Sequence, residues 1–405
     1  MMGADIAIVG GGPAGLTAAL ALAAAAPARA DRIVVLEKET YPRDKICAGA
    51  VGDRGWRILE ALDAAPTVPW VRVGGIQLDT RAASMRSKPG PIGRVVRRRE
   101  FDAALAERAI DRGVRVMQDC AVQAISVESD GATLSTTQGD LRVKAAVGAD
   151  GVGSVVRRAM GCGVGRLRAM VVELDTGPAP GDPPRDVLRF DAREADLPGY
   201  YWDFPTLVDG EPLWCRGLYL LRVAADLEPG MAPADHIRLR DRLDAWMAAK
   251  GLDRSAYRNK RFAERGWEPS VEPAQGPLLL VGEAMGIDPI SGEGISQAIE
   301  SGRDLGRFLA TAEWSLAGLA GWSRAHRRSR VGRDLSVRRR LVRVGYGPPR
   351  PWLERLLAGN EALLAAGCHH WGGAWPPLGV LLTGVGQAAW RQLRGGAAPA
   401  LPVAS

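Results

Sequence analysis

The chain has 405 residues, 46% of them hydrophobic, 24% charged and 6% aromatic, and a formal net charge of +7. This composition is typical of a globular protein with a sizeable core, and it excludes collagen-like, coiled-coil and disordered classes. Almost all of the 53 basic residues are arginines. No nucleic-acid-binding motif accompanies them, so we expect no nucleic-acid partner.

The cysteines indicate a reducing compartment. They are five, scattered along the chain and without metal-ligand spacing, which argues against a disulfide framework and against a metal site. The apolar run at 18–26 ends at Pro27 and is far shorter than the ~20 residues that span a bilayer. We therefore expect a cytoplasmic protein, soluble or in peripheral contact with a membrane.

The first motif is a strand, a glycine turn and a helix. An apolar run at 6–9 enters Gly10-Gly11-Gly12-Pro13-Ala14-Gly15, and an alanine-rich helix follows to about residue 26. The glycines permit a tight turn, close approach of a diphosphate and close helix packing. A second strand at 32–36 ends in an acid that can accept ribose hydroxyls. The predicted dinucleotide-binding residues here are Gly10, Gly12, Pro13, Ala14, Gly15, Glu37 and Lys38.

Two later segments repeat the change from strand to glycine loop. The run at 145–149 leads into Asp150 and Gly151, and the run at 278–281 leads into a longer loop and a helix. One nucleotide needs a single glycine cradle, so two further loops favour a long ligand, FAD, over NAD. The predicted residues of the last loop are Gly282, Glu283, Pro289, Gly292, Gly294 and Ile295.

Further motifs occur in a recognisable order. Pro42-Arg43-Asp44-Lys45-Ile46-Cys47-Ala48-Gly49 is followed by Arg98 before Phe101-Asp102, and later by Tyr-x-Trp-x-Phe-Pro at 200–205. With the three glycine loops, these motifs make residues 4–310 resemble the FAD-dependent oxidoreductases of the para-hydroxybenzoate hydroxylase fold, and among them the geranylgeranyl reductase family. The chain departs from the family pattern at Ala48, where a glycine is usual, and at Glu283, where an aspartate is usual.

The resemblance implies roles for several side chains. Lys45, Cys47, Ala48 and Arg98 would lie against FAD, with Cys47 tuning the flavin or delivering a proton. Tyr200 and Trp202 would line the substrate cavity, which makes Cys47, Tyr200 and Trp202 the candidate catalytic residues. An inert buried cysteine, ordinary core aromatics and a solvated basic turn at 97–99 are the alternatives.

The predicted fold class is α/β, α+β overall. A Rossmann-like FAD domain with a parallel sheet takes residues 1–75, 95–165 and 265–325, and a mostly antiparallel substrate domain takes 75–95 and 166–264. Residues 326–405 form a helical C-terminal extension that ends in a disordered tail. One basic amphipathic helix over 314–346 either packs on the FAD domain or lies on anionic lipid.

The leading functional hypothesis is a reductase that transfers a hydride from reduced FAD to a carbon–carbon double bond of a prenyl or other apolar substrate. NADPH or another electron donor would dock transiently, because no second nucleotide-binding unit is apparent. The alternative is a monooxygenase, hydroxylase or halogenase-like enzyme that acts through a flavin hydroperoxide on a natural product. A non-catalytic flavin-binding protein is a third class. Substrate, donor and oligomeric state stay open.

Overall fold

The computed structural model describes residues 3–163, 165–224, 234 and 237–393. The strands, in chain order, are β1 (Ile6–Val9), β2 (Ile33–Leu36), β3 (Ala50–Gly52), β4 (Trp70–Val73), β5 (Gly75–Asp79), β6 (Ser84–Ser87), β7 (Gly93–Val96), β8 (Arg115–Met117), β9 (Val122–Glu128), β10 (Gly131–Thr136), β11 (Gly139–Val143), β12 (Ala145–Gly148), β13 (Leu167–Thr176), β14 (Val187–Asp191), β15 (Gly199–Val208), β16 (Glu211–Val223), β17 (Lys260–Arg265), β18 (Ala274–Gln275) and β19 (Leu278–Leu280). The helices are α1 (Pro13–Ala25), α2 (Asp53–Ala61), α3 (Arg98–Asp111), α4 (Val155–Ala159), α5 (Leu239–Ala248), α6 (Ile295–Thr311), α7 (Leu316–Arg328), α8 (Arg330–Tyr346), α9 (Arg350–Leu357), α10 (Glu361–Trp371) and α11 (Leu378–Leu393). The predicted disordered tail lies outside the described residues.

A six-stranded sheet carries the nucleotide motifs. Its strand order is β18-β19-β12-β1-β2-β8, and all pairs except β18–β19 are parallel. Every residue of β1, β2 and β12 is buried, as expected for parallel strands with both faces covered. The glycine loops after β1, β12 and β19 therefore leave the sheet at the same edge, as in other open parallel sheets that bind ligands at their carboxyl ends.

Helices α1 and α6 pack against each other at very short range. A Cβ added at Gly302 would overlap the carbonyl oxygen of Ala14, and one added at Gly306 would overlap that of Ala18. The alanine-rich sequence of α1 and these two glycines of α6 therefore remove the side chains that would hold the helices apart. This packing places the N-termini of both helices beside the glycine loops.

A seven-stranded sheet forms a second layer. Its order is β17-β13-β16-β15-β14-β5-β6, and β14–β5 is its single parallel pair. The hairpin β15–β16 is buried on both sides: Tyr200 stacks on Tyr219 on one face, and Tyr201 stacks on Trp246 of α5 on the other. Two three-stranded sheets, β11-β10-β9 and β3-β7-β4, complete the strands. The predicted domain limits stay a prediction.

The single helix expected over 314–346 is two helices. α7 ends at Arg328 and α8 begins at Arg330, because the side chain of Ser329 caps α8 by accepting a hydrogen bond from the Gly332 N–H. Four helices, α8–α11, follow α7. Within the described part of the chain, no helix is both long and apolar enough to cross a membrane.

His326 of α7 makes the stability of the fold depend on pH. It is 1% exposed, lies against Trp322, and has no hydrogen-bond partner on either ring nitrogen among the described residues. Burial lowers the pKa of His326 to about 4. The unfolded chain takes up this proton below about pH 6.5 and the folded chain does not, so we expect stability to fall by roughly 3 kcal/mol between pH 6.5 and 4.

Urea unfolding of His326→Leu across this pH range tests the expectation. The variant should lose that part of the pH dependence while keeping the part due to carboxyl groups. His369→Leu, at an intermediate-exposure position of α10, is the matched control and should retain the wild-type profile. An unchanged slope in His326→Leu would contradict the assignment.

Candidate active site

One cavity of 520 Å³ runs from the glycine loop after β1 to the aromatic face of the seven-stranded sheet. Its lining joins residues that are as far apart in the sequence as Val9 and Trp371. The predicted site residues that line it are Gly10, Gly12, Pro13, Ala14, Glu37, Lys38, Lys45, Cys47, Ala48, Arg98, Asp150, Gly151, Tyr200, Trp202, Glu283, Gly292, Gly294 and Ile295.

Three predicted cofactor residues do not line the cavity. A Cβ at Gly15 would overlap the Gly10 carbonyl oxygen, and a Cβ at Gly282 would lie 2.7 Å from the Ala14 Cβ. The carbonyl oxygen of Pro289 accepts a hydrogen bond from the Tyr219 hydroxyl at 3.0 Å. These residues shape the loops that carry the lining.

The first glycine loop has the geometry of a diphosphate cradle. Gly10 has φ +105°, and a Cβ there would lie 2.5 Å from the Ala149 carbonyl oxygen, so only glycine fits. Gly12 is different, because a Cβ there would meet only Arg98, with Nη2 at 3.7 Å. It faces open space at the start of α1, whose first turn has N–H groups outside the helical hydrogen-bond pattern.

Two buried arginines stand beside this loop. The guanidinium of Arg98 donates two hydrogen bonds of 2.7 Å to Asp102, while Arg43 bridges Asp102 at 3.0 Å and Glu37 at 3.1 Å. Glu37 also accepts the Gly11 N–H at 2.9 Å. The network holds the acid predicted for ribose binding against the glycine loop, and it fixes Arg98 on the cavity wall.

The structure shows different surroundings for three consecutive arginines, 97–99, whose roles the sequence could not distinguish. Arg97 pairs with Asp175 at 2.9 and 3.0 Å, Arg98 is buried in the cavity wall, and Arg99 is exposed. The start of α3 at Arg98 decides this, because successive helical residues point about 100° apart.

The loop after β12 offers an acceptor without a partner. Asp150 Oδ2 accepts the Val155 N–H at 2.6 Å, whereas Asp150 Oδ1 is buried and has no hydrogen-bond partner among the described residues. Burial raises the pKa of this carboxyl. A buried acceptor on a cavity wall needs a donor, and the ribityl and ribose hydroxyls of FAD are of that kind. The cradle, the helix N-terminus and this acceptor together fit FAD.

Cys47 lines the cavity, next to a buried acid of the seven-stranded sheet. The Cys47 N–H donates to Glu173 Oε1 of β13 at 2.9 Å, and the Cys47 thiol accepts from the Gly49 N–H at 3.4 Å. Burial raises the pKa of the thiol, and Glu173 adds to the increase while Arg98 opposes it. The thiol is therefore protonated at neutral pH.

Glu173 itself is 4% exposed and lines the cavity. Burial raises the pKa of Glu173 to about 7; Asp175 adds to the increase, whereas Lys260 and Arg97 oppose it. A second acid of the lining, the partly buried Glu264, has a pKa raised well above its ordinary range by desolvation and by Glu283. The cavity lining thus holds carboxyl groups that can carry a proton near neutral pH.

The far part of the cavity is aromatic. Phe190 contacts Tyr200 and Phe204 edge to face at 5.1 and 5.2 Å, and Tyr200 stacks on Tyr219 at 5.0 Å. Trp202 lies beside Tyr200, with ring centroids 6.3 Å apart. These rings, with Phe262 and Trp371, form an apolar wall suited to a flat or unsaturated apolar ligand.

Comparisons with known proteins agree with this geometry. A family model described as "Lycopene cyclase protein" matches residues 5–204. Menaquinone reductase of Mycobacterium tuberculosis (strain ATCC 25618 / H37Rv) is 29% identical over 84% of this chain and 83% of its own length. Digeranylgeranylglycerophospholipid reductase 2 of Methanothermobacter thermautotrophicus is 27% identical over 85% and 88%. A geranylgeranyl bacteriochlorophyll reductase-like structure from Thermoplasma acidophilum superposes with a TM-score of 0.68 at 19% identity, covering 96% of this chain and 98% of that one.

These findings support an FAD-dependent oxidoreductase similar to the geranylgeranyl reductases.

Sequence reasoning missed several residues of this site. Arg43 and Asp102 stand inside quoted motifs, so each could have been proposed as an ion-pair partner. Glu173 and Glu264 lie in ordinary strand sequence, and no local pattern marks them. Phe190, Phe204, Tyr219, Phe262 and Trp371 add to the aromatic lining.

Proposed function

We propose that this FAD-dependent oxidoreductase reduces a carbon–carbon double bond in a prenyl chain of an apolar substrate, such as an isoprenoid lipid or quinone. The observation that carries the proposal is the continuity of one cavity from the nucleotide cradle, past a protonated thiol, to an aromatic wall. The names of the relatives, a menaquinone reductase and a digeranylgeranylglycerophospholipid reductase, support a substrate of this class.

Different residues of the cavity lining would bind the cofactor, hold the substrate and donate a proton. The first glycine loop, Glu37, Arg98 and Asp150 would hold FAD, which supplies the hydride when bound and reduced. Tyr200, Trp202 and their neighbours would exclude water and hold the apolar chain. Saturation of a double bond also needs a proton, and the protonated thiol of Cys47, in the cavity lining, would donate it. Glu173 would keep that thiol protonated and fix its backbone. NADPH or another donor would reduce the flavin.

Cys47 can be tested without disturbing the cofactor. Cys47→Ala removes the thiol but leaves the backbone N–H that binds Glu173, so FAD content should stay at the wild-type level. We expect turnover to fall by roughly 10²- to 10⁴-fold, the range for loss of a positioned proton donor. Stopped-flow measurement of alkene-dependent flavin reoxidation gives the rate. Cys162→Ala, at a cysteine outside the cavity lining, is the control and should react at the wild-type rate. If Cys47→Ala reacts as fast as this control, Cys47 has no chemical role.

Glu173 should give both the rate and the stability a dependence on pH. Since the folded pKa is about 7 and the ordinary value is 4.5, this carboxyl makes stability fall as pH rises from about 4.5 to 7 and has no further effect above that. Glu173→Gln should therefore be more stable than wild type at pH 8 by roughly 3 kcal/mol, with little difference at pH 4. Its turnover should be lower, and the fall in rate near pH 7 should disappear. A rate profile with the same fall as wild type would show that Glu173 is not the titrating group.

The reaction itself is tested anaerobically. Dithionite-reduced protein is freed of excess reductant and mixed with menaquinone, geranylgeranyl lipids or saturated analogues, and the absorbance of oxidised flavin is followed. Return of that absorbance with the unsaturated lipids alone, and a product heavier by two hydrogens, is the expected result. The product must be identified as well, because a quinone can also reoxidise the flavin by accepting electrons on its ring. Reoxidation that needs air, with a transient intermediate and a hydroxylated or halogenated product, would favour the oxygen-dependent alternative.

A further inference from the structure

The described C-terminal helices expose an apolar row that the proposed reaction does not use. Leu378, Leu382 and Val385 of α11 are 70%, 64% and 60% exposed, and Trp375 just before the helix is 81% exposed. The spacing i, i+4, i+7 places the three aliphatic side chains on one side of α11. Large apolar groups seldom cluster on a free surface without a partner.

The α8–α11 part of the chain is positively charged. Residues 330–390 contain eight arginines and three acids, a net charge of +5. Arg333, Arg340 and Arg343 of α8 are exposed and make no ion pair with the described residues. Val337 and Leu341, 51% and 46% exposed, lie between them. Arginine next to exposed aliphatic groups is the composition of an interfacial helix.

These helices are also connected to the cavity. The side-chain amide of Asn360 donates to the Gly384 carbonyl oxygen at 2.9 Å, which fixes α11 on α10, and α10 ends at Trp371 of the cavity lining. On α8, Arg338 pairs with Asp288 at 2.6 Å. Asp288 in turn accepts the backbone N–H groups of Ile290 and Ser291 in a loop of the site.

We propose that the α8–α11 helices are a docking surface for an anionic lipid bilayer, with the apolar row of α11 entering the headgroup region and the arginines of α8 facing lipid phosphates. A second copy of the chain fits less well, because self-association would bring two surfaces of high positive charge together. A bilayer with anionic lipid satisfies both the apolar row and the charge. The surface goes beyond the proposed function and requires no particular reaction.

Co-sedimentation of the full-length FAD-loaded protein with vesicles tests this directly. The vesicles contain phosphatidylcholine alone or phosphatidylcholine with phosphatidylglycerol, at low and at high salt. Wild type should bind the anionic vesicles at low salt, and it should bind weakly at high salt or to phosphatidylcholine alone. Tryptophan emission should shift to shorter wavelength on binding, because Trp375 enters the interface.

Paired variants separate the two parts of the surface. Leu378→Asp with Leu382→Asp should weaken binding by at least ~10-fold, and Arg333→Glu with Arg340→Glu should remove the salt dependence. Val127→Asp, at a 53% exposed position of β9, is the control and should bind as wild type. Full FAD content in every variant excludes unfolding as the cause.

Two results would overturn the proposal. The first is wild-type vesicle binding by the Leu378→Asp, Leu382→Asp variant, or no binding by wild type. The second is a lipid-free wild-type dimer that this variant converts to a monomer, because the covering partner would then be another copy of the chain. Neither result depends on alkene reduction, so failure of the lipid surface and failure of the proposed reaction are distinguishable.

Discussion

Replacing Gly12 with leucine should yield a folded protein that carries no FAD. A Cβ at this position meets only Arg98, with Nη2 at 3.7 Å, so the loop can accommodate a side chain if the end of Arg98 moves. The added atoms would fill the part of the cavity beside the glycine loop and the N-terminus of α1. The resemblance predicts that the diphosphate of FAD binds there. We expect complete loss of the flavin absorbance after purification, and with it loss of all redox activity.

The matched control uses a glycine with open space elsewhere. Gly345 of α8 has no atom within 4 Å of its added Cβ and does not line the cavity, so Gly345→Leu should retain full flavin. Circular dichroism and thermal unfolding of both variants show whether the fold survives. Gly12→Leu protein with a full complement of FAD would disprove the cradle; unfolded protein would require Gly12→Ala as a smaller probe, for which weakened FAD binding is the expectation.

Asp203→Ala should cause the largest loss of stability among single side-chain changes in the hairpin. The carboxylate is fully buried and contacts three cations: Arg216, Lys250 at 2.9 Å and Arg189 at 3.2 Å. The side chain of Arg216 is completely buried, and it also forms an ion pair with Asp182. Removing the acid leaves Lys250 without its nearest carboxylate and takes one carboxylate partner from each of Arg216 and Arg189, which costs about 3–5 kcal/mol.

Urea unfolding followed by fluorescence measures this loss. Glu211→Ala, at an exposed position of the same hairpin, should change stability by less than about 0.5 kcal/mol. FAD content of Asp203→Ala should stay high below the unfolding transition, because the acid lies on the face of β15 away from Tyr200 and Trp202. A loss below about 1 kcal/mol would mean that water or neighbouring acids satisfy the cations.

The parts of the site that sequence predicts are those that local backbone geometry specifies. Gly10 and Gly12 follow a buried strand, and the acid at Glu37 ends the next one, so their chemistry is contained in a few consecutive residues. Tyr200 and Trp202 alternate on a strand in the same way. The structure brings all of them to one cavity, and their direct contact with FAD or substrate stays a prediction.

The remaining residues depend on contacts between distant segments. The hydrogen bond from the Cys47 N–H to Glu173 joins residues 126 positions apart, and its partner acid lies in a strand without any distinguishing motif. Asp102 acquires its role from two arginines on different elements. The break between α7 and α8 was missed for another reason: the apolar and basic periodicity continues across Ser329, and only the capping hydrogen bond marks the end.

The close packing of α1 on α6 affects how variant libraries of this enzyme should be read. Gly302 and Gly306 tolerate no Cβ because the carbonyl oxygens of Ala14 and Ala18 occupy that space. Any substitution at either glycine would push α1, and the loop before it, away from its place. A saturation screen scored by colour or activity would therefore rank these two positions with Gly12, although neither lines the cavity. Separate scoring of protein abundance would be needed to distinguish them.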